Sequence, residues 1–280
     1  MKVNLISYTP DAMDIMLFTR STRLTMSPEG LAEVKAWSEE KKRKELEHML
    51  HTIQSSWAFI DYVFAIQDVT RAFTHQLVRH SVGTAFAQQS MRTVDMSKFT
   101  YETGPSISDP DPTAHGERNP NHEKESLYDS IMNNIRWHYK ELAKAGADIQ
   151  DARGILPTNI HTNIVFKANL RTLHDMGLKR LCVKTQGEFQ EVFKRIREEV
   201  IAVHPWAERF IRVHCAFHGD CAFHDFPVEK CPIKKFAYNK ATGLAYEHQP
   251  SFPFSIEAMQ AVWERHQNAG TFTTQTEVAK

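Results

Sequence analysis

ARGILPTNIHTNIVFKANLRTLHDMGLKRLCVKTQGEFQ, residues 152–190, decides how the chain is put together. Leu156-Pro157 interrupts whatever precedes it, because proline has no backbone N–H to donate. The run up to Lys167 is rich in Ile, Val and Phe and reads as a strand. Asn169 stands at a helix start, where its side-chain oxygen can accept from a backbone amide. A helix is predicted over Asn169–Arg180 and another over Gly187–Val203. A strand that passes directly into helices makes the fold class α+β.

Working outward, Thr70–Arg79 has a helical composition. Phe73 and Leu77 are placed toward a core, and Gln76, Arg79 and His80 share a face at i, i+3 and i+4. Trp57–Ile66 and Lys2–Tyr8 read as strands. Thr9-Pro10-Asp11 and Ser27-Pro28-Glu29 are helix starts. The charge run Glu39–Lys44 reads as a solvated helix face. Leu127, Ile131, Ile135, Tyr139 and Leu142 recur at near four-residue spacing in a long helix that Gly146 stops. Residues about 95–122, rich in Pro, Asp, Gly, Ser and Asn from Thr103 on, form a loop insertion. One main domain is expected over residues 1–212, with an irregular Cys- and His-rich extension over 213–280.

The 280 residues, 41% hydrophobic and 24% charged, suffice for a sizeable core. A net charge of zero disfavours a general nucleic-acid partner. No apolar run reaches the roughly 18 to 20 residues that span a bilayer, and the opening MKVNLISYTPDAM lacks a signal peptide's apolar stretch. These features predict a cytoplasmic protein (host cytoplasm if the source is viral), with no membrane partner.

HQLVRHSVGTAFAQQSMR, residues 75–92, packs much hydrogen-bonding capacity around an apolar Val-Gly-Thr-Ala-Phe centre. Arginine suits bidentate recognition of phosphate. Arg79, Arg92, Arg153, Arg171 and Arg180 lie on separate segments that folding could gather. Ser90 adds a hydroxyl. Gln76, Gln88, Gln89 and Asn169 each combine donor and acceptor, as reading a pyrimidine edge requires. The set fits a phosphorylated, planar, hydrogen-bonding ligand such as a nucleotide. The bland alternative is that each is a solvated or salt-bridged surface residue, and that Asn169 merely caps its helix.

Taken together, residues 75–92 and 152–190 resemble the flavin-dependent thymidylate synthases. That family's signature is Arg-His-Arg, seven residues, then Ser and an Arg shortly after. Here Arg79-His80 opens it and Gln88–Arg92 closes it. Arg153, Leu156-Pro157, Asn169, Arg171, Arg180, Gln186 and Glu188 match a second block, and LISYTPDAMDIMLFTRSTRL resembles the family's start. The chain departs at Ser81, where the family has its second Arg, in one extra residue before Ser90, and in the lack of a Glu-His pair within SSWAFIDYVFAI.

The resemblance implies a central mixed or antiparallel sheet packed by helices. It implies a pyrimidine deoxynucleotide partner, dUMP, and reductive transfer of one carbon from methylenetetrahydrofolate to its C5, with FAD as cofactor, NADPH as reductant and a homotetramer with shared sites. Arg180 is the ring-contacting catalytic residue by that resemblance. Gln76, Gln88, Gln89, Ser90, Arg92 and Arg153 fall to dUMP, and Ser55, Arg79, His80, Asn169 and Arg171 to FAD. Two rivals stand beside it: a paralogue that hydroxymethylates dUMP or dCMP, and a nucleotide-binding protein without turnover.

Two cysteine features remain. Cys182, two residues past Arg180, has no base partner identifiable from sequence and reads as structural rather than nucleophilic. HCAFHGDCAFHDFPVEKC, residues 214–231, spaces Cys215, Cys221 and Cys231 as no standard finger does. A structural zinc on these three with a histidine as fourth ligand, or free buried thiols, are both compatible with it.

Overall fold

The computed structural model describes residues 1–21, 29–108, 120–218, 221–227, 230–231 and 233–234. In chain order the elements are β1 (Lys2–Tyr8), α1 (Ala12–Ser21), α2 (Gly30–Lys35), α3 (Glu39–Thr52), β2 (Asp61–Thr70), α4 (Arg71–Leu77), β3 (Thr84–Gln88), α5 (Pro120–Lys144), α6 (Ile149–Ala152), β4 (His161–Asn169), α7 (Leu170–Arg180), α8 (Gly187–Val203) and α9 (His214–His218). The strands form one antiparallel sheet in the order β1-β2-β4-β3, so the class is α+β as expected.

The chain divides into two compact units. One comprises Met1–Asn4, Phe64–Ser81 and Ala85–Lys167; the other comprises Leu5–Val63, Val82–Thr84 and the described residues from Ala168 on. In the first unit, Phe166 stacks between Phe64 (6.1 Å) and Phe86 (5.5 Å). A second cluster gathers Met96, Phe99, Met132, Tyr139, Ala152 and Ile160. Met96 and Phe99 lie in the segment read as a loop insertion, so its first third is core rather than surface. Residues 109–119, within the same expected loop, lie outside the described residues.

The α5 stripe is a correction. Tyr139 and its neighbour Met132 are buried, but Leu127 is 64% and Ile131 48% exposed. Four-residue steps overshoot a 3.6-residue turn by about 40° each, so a stripe so spaced walks off the buried face within about three steps. Gly146 does stop the helix: its φ is +89°, and its own amide and that of Ala147 close onto Ala143 and Leu142.

In the second unit, Trp57 is fully buried and meets His174 and Phe210 edge-on at 4.9 and 5.1 Å. Trp57 does not lie in a strand. Gln54–Phe59 is a 3-10 turn and the strand begins only at Asp61. Lys42 is a second departure: it is buried and ion-paired with Asp14 at 2.8 Å instead of solvated. Its long stem lets a charged residue leave the exposed face of α3 and reach Asp14, with Glu39 also at 3.7 Å.

Two imidazoles in this unit are stored neutral. His174 Nδ1 contacts the Phe210 carbonyl at 2.7 Å, and His204 Nδ1 contacts the Tyr62 hydroxyl at 2.9 Å. Burial lowers the pKa of both. The unfolded chain therefore binds protons more readily near the ordinary histidine value of about 6.5. Stability is complete above that value and falls as pH drops below it toward the depressed folded values. Thermal melts from pH 7.5 to 5 are expected to show this decline. His204→Gln, which keeps a polar contact to Tyr62 without titrating, should flatten it, and an unchanged slope would remove His204 as a cause.

Candidate functional site

α4 begins where Thr70 caps it by accepting the Phe73 amide at 3.0 Å. The Arg71 and Ala72 amides donate to the Ile160 and Thr158 carbonyls at 3.1 and 2.8 Å, which fixes the first turn in its unit. The Arg71 side chain is thereby held with Nη1 buried and without a hydrogen-bond partner among the described residues. Its pKa is lowered, first by burial and then by the positive charge of Arg153. A half-buried guanidinium with one nitrogen that meets neither water nor an acceptor, and that faces a like charge, is costly unless an anion joins it. Sequence reading misses Arg71. The available signal is an arginine at a helix N-terminus, where acids are the usual choice.

The glutamines lie in the same unit. Gln88 Nε2 donates to Thr74 Oγ1 at 2.9 Å, and that hydroxyl donates to the Arg71 carbonyl at 3.0 Å. Gln89 is bound at both levels to Asn163: its amide donates to the Asn163 carbonyl, and its Oε1 accepts from Nδ2 at 2.9 Å. Gln89 is thus a spacer within its unit, with one side-chain oxygen already used. Ser90 Oγ accepts the Arg92 amide at 3.2 Å and turns the chain after β3. Arg92 is exposed, and its side chain makes no hydrogen bond or ion pair among the described residues. Arg153 Nε donates to the Gln150 carbonyl at 3.0 Å. Gln76 is half-buried. Arg71, Gln76, Gln88, Gln89, Ser90, Arg92 and Arg153 therefore share one unit.

Arg79 and His80 also belong to that unit, but not to the helix face expected for them. α4 ends at Leu77, and the amides of Arg79 and His80 close 3-10-type bonds to Gln76 and Leu77. Arg79 is exposed. Ser55, Asn169, Arg171 and Arg180 lie in the other unit. Ser55 is exposed on the 3-10 turn.

Asn169 caps α7. Its Oδ1 accepts from the Thr172 amide at 2.9 Å and from the Thr172 hydroxyl at 3.0 Å. Its backbone N–H donates to the Gly83 carbonyl at 3.1 Å. Gly83 has φ +69°, and a Cβ there would lie 2.4 Å from Asn169 Nδ2 and 2.6 Å from Thr172 Oγ1. The Asn169 oxygen is thus committed to its own helix. Gly83→Ala is expected to cost about 2 to 4 kcal/mol, from strain and overlap together. A denaturant-midpoint loss under about 1 kcal/mol would show that the cap can yield.

Arg180 ends α7 with its guanidinium 4.2 Å from the centre of the Phe189 ring. Burial lowers its pKa. It stays charged, and partial desolvation strengthens its pull on a nearby anion. The Cys182 thiol is pushed up, chiefly by burial, which is the reverse of an activated nucleophile. Among the described residues no three His, Cys, Asp or Glu side chains are already gathered to hold a metal ion. Cys215, Cys221 and Cys231 by themselves thus form no closed ligand set. No helix among the described residues is long and apolar enough to cross a membrane.

The sequence matches the family described as Thymidylate synthase complementing protein, Thy1, over residues 4–206. The flavin-dependent thymidylate synthase of Clostridium tetani is 31% identical over 229 residues, which cover 79% of this chain and 90% of that protein. The protein of the same name from Sulfurisphaera tokodaii is 29% identical over 228 residues, covering 78% and 80%. A third, from Pyrococcus furiosus, is 31% identical over 181 residues, covering 62% and 69%.

Proposed function

The chain belongs to the thymidylate synthase complementing protein family, and from that premise we propose that it converts dUMP to dTMP by reductive one-carbon transfer from methylenetetrahydrofolate. The observation that carries the nucleotide side is the buried Nη1 of Arg71, without a partner among the described residues and beside Arg153. Two guanidiniums that repel each other call for a dianion, and the phosphate of a nucleotide monoester is one. Gln76 and Gln88 supply amides for the base or sugar, and Arg92 and Ser90 add donors at the end of β3.

To Arg180, which belongs to the other unit, we assign the base, following the family resemblance. Carbon transfer to C5 requires electron density to rise on the pyrimidine ring. A guanidinium fixed by the Phe189 ring and partly removed from water stabilises that charge more than a solvated one would. No thiol is required in this scheme, in keeping with a Cys182 that burial keeps protonated.

The donor types fit a flavin dinucleotide, taken unit by unit. Arg79 in one unit and Arg171 in the other are each an exposed guanidinium, a type suited to a pyrophosphate. Ser55 and His80 add polar groups, and Asn169 contributes by pinning Gly83 rather than by its committed oxygen. When bound, the reduced FAD supplies the hydride that turns the transferred carbon into a methyl group, with NADPH as the source of reducing equivalents. The residues of this chain bind and orient the nucleotide and polarise its ring.

A homotetramer accords with the outward face of α5, where Leu127 and Trp137 are 64% and 56% exposed.

The visible absorption spectrum is the first test. Flavin bands near 450 nm, at about one flavin per chain and perturbed by dUMP, are expected. Mass analysis of the product decides the rest: dTMP is expected. A product one oxygen heavier would replace methylation by hydroxymethylation, and nucleotide binding without flavin or turnover would leave a binding protein.

A further inference from the structure

The chain has four cysteines, and one of them is far from the others in sequence. Cys182 follows α7, while Cys215, Cys221 and Cys231 lie beyond α8. All four line a single cavity of about 30 Å³, closed by Leu181, Val213 and Ile233. That volume holds one ion or one water. None of the four is in a disulfide.

Cavities of this size are ordinarily filled or lined by hydrocarbon. Sulfur from two stretches of chain far apart in sequence has no packing reason to meet there, since alanine or valine would serve as well. The surrounding backbone is arranged for thiolates. The Phe223 amide donates to Cys221 Sγ at 3.4 Å, and the Lys184 amide donates to Cys182 Sγ. In both cases the donor is two residues downstream, so a short turn wraps its N–H onto the sulfur. Two ammonium groups stand nearby. Lys184 Nζ lies 4.0 Å from the centre of the Phe223 ring. Lys234 Nζ donates to the carbonyls of Phe223, His224 and Phe226 at 2.8, 2.8 and 2.9 Å. Four thiolates around a divalent ion carry a net charge of about −2, which two lysines offset.

We propose that Cys182, Cys215, Cys221 and Cys231 form a four-thiolate structural zinc site. Cys182 is the fourth ligand, in the place the spacing of the other three left to a histidine. Without a metal the four line the cavity without converging on one point. Zinc binding releases their protons and pulls the sulfurs together to tetrahedral distance. Cys221 then exchanges its thiol contact to the Phe223 carbonyl, 3.3 Å, for the metal. The result is a clasp that fastens Cys215–Cys231 to the turn immediately after α7. This stretch carries little regular secondary structure among the described residues beyond the one turn of α9, and a metal is a usual way to fasten an irregular segment.

The test uses the full-length chain, purified without a chelator or a histidine tag, with zinc and then cobalt as probes. About one zinc per chain that resists dialysis is expected. Cobalt exchanged into the site should give the sulfur-to-metal charge-transfer band of four thiolates, and Cys182→Ala should lower that band by about a quarter while weakening zinc retention at least about tenfold. A zinc content below about a tenth of an equivalent after reconstitution overturns the site. A band that Cys182→Ala leaves unchanged overturns the ligand set. If that variant does not fold, the wild-type cobalt band alone decides, and three-thiolate intensity counts against the proposal. None of these readouts depends on flavin, nucleotide or turnover.

Discussion

Replacing Arg71 by methionine is expected to remove nucleotide affinity while leaving the protein at least as stable as before. The two effects have opposite signs because the same group is a liability empty and an anchor occupied. Without ligand, Nη1 is buried and has no acceptor among the described residues, and Arg153 adds repulsion. Methionine keeps much of the stem's packing and discards both penalties, so unfolding free energy should hold or rise by about 1 kcal/mol. With dUMP, a charge-assisted phosphate contact is lost, and affinity should be weakened by about a hundredfold or more. Calorimetric titration with dUMP and a denaturant melt measure the two sides separately. A variant that loses more than about 2 kcal/mol of stability but binds dUMP normally would make Arg71 a structural residue and remove the main support for the nucleotide site. Titration with uridine provides the control: lacking the phosphate, it should bind wild type and variant alike.

Arg180→Ala should act on the chemical step instead. The guanidinium sits on the Phe189 ring at the end of α7, away from the capped start of that helix. Its removal leaves the cap at Asn169 intact, so the fold should persist. Turnover is expected to fall about a hundred- to a thousandfold, the range seen when one preorganised charge-stabilising donor is removed. Arg180→Lys should recover only part of it, because an ammonium keeps the charge but not the planar stacking. The informative split is between kcat and dUMP affinity. A loss confined to affinity would move Arg180 from ring polarisation to simple binding, and unchanged turnover would exclude both.

Elements with clean local signals are legible in the sequence. Lys2–Tyr8, Asn169–Arg180 and Gly187–Val203 stand almost residue for residue where propensity and capping put them. Departures arise where tertiary packing overrides a local pattern. Trp57 and Ile60 look like strand residues because they are aromatic and β-branched, yet Trp57 is used as a plug on a 3-10 turn. The α5 stripe misleads by its period, and Lys42 by its charge. The arginines, glutamines and Ser90 are recognisable by residue type and by the family's motif. Arg71 is not, because nothing in one residue's identity reveals that its guanidinium will be stranded. That is a property of the Ile160 and Thr158 carbonyls that hold its helix turn. Cys182 is read as structural in the sequence, but its place beside the other three cysteines is hidden for the same reason. The whole of α8 separates it in sequence from partners that folding brings to one cavity.

The pinned glycine explains how the chain tolerates its extra residue. Gly83 is held at its carbonyl by the Asn169 amide and crowded by Asn169 and Thr172, while Val82 just before it is 84% exposed. The segment behaves as a slack cord tied at a knot. Length gained ahead of the knot, where Val82 stands in solvent, would have room to bulge outward without pulling on the knot. The gap from Arg-His to Ser90 is therefore not a ruler for the site. A pattern that insists on one fixed spacing from Arg-His to Ser passes over this chain, although its other motif residues stand in order.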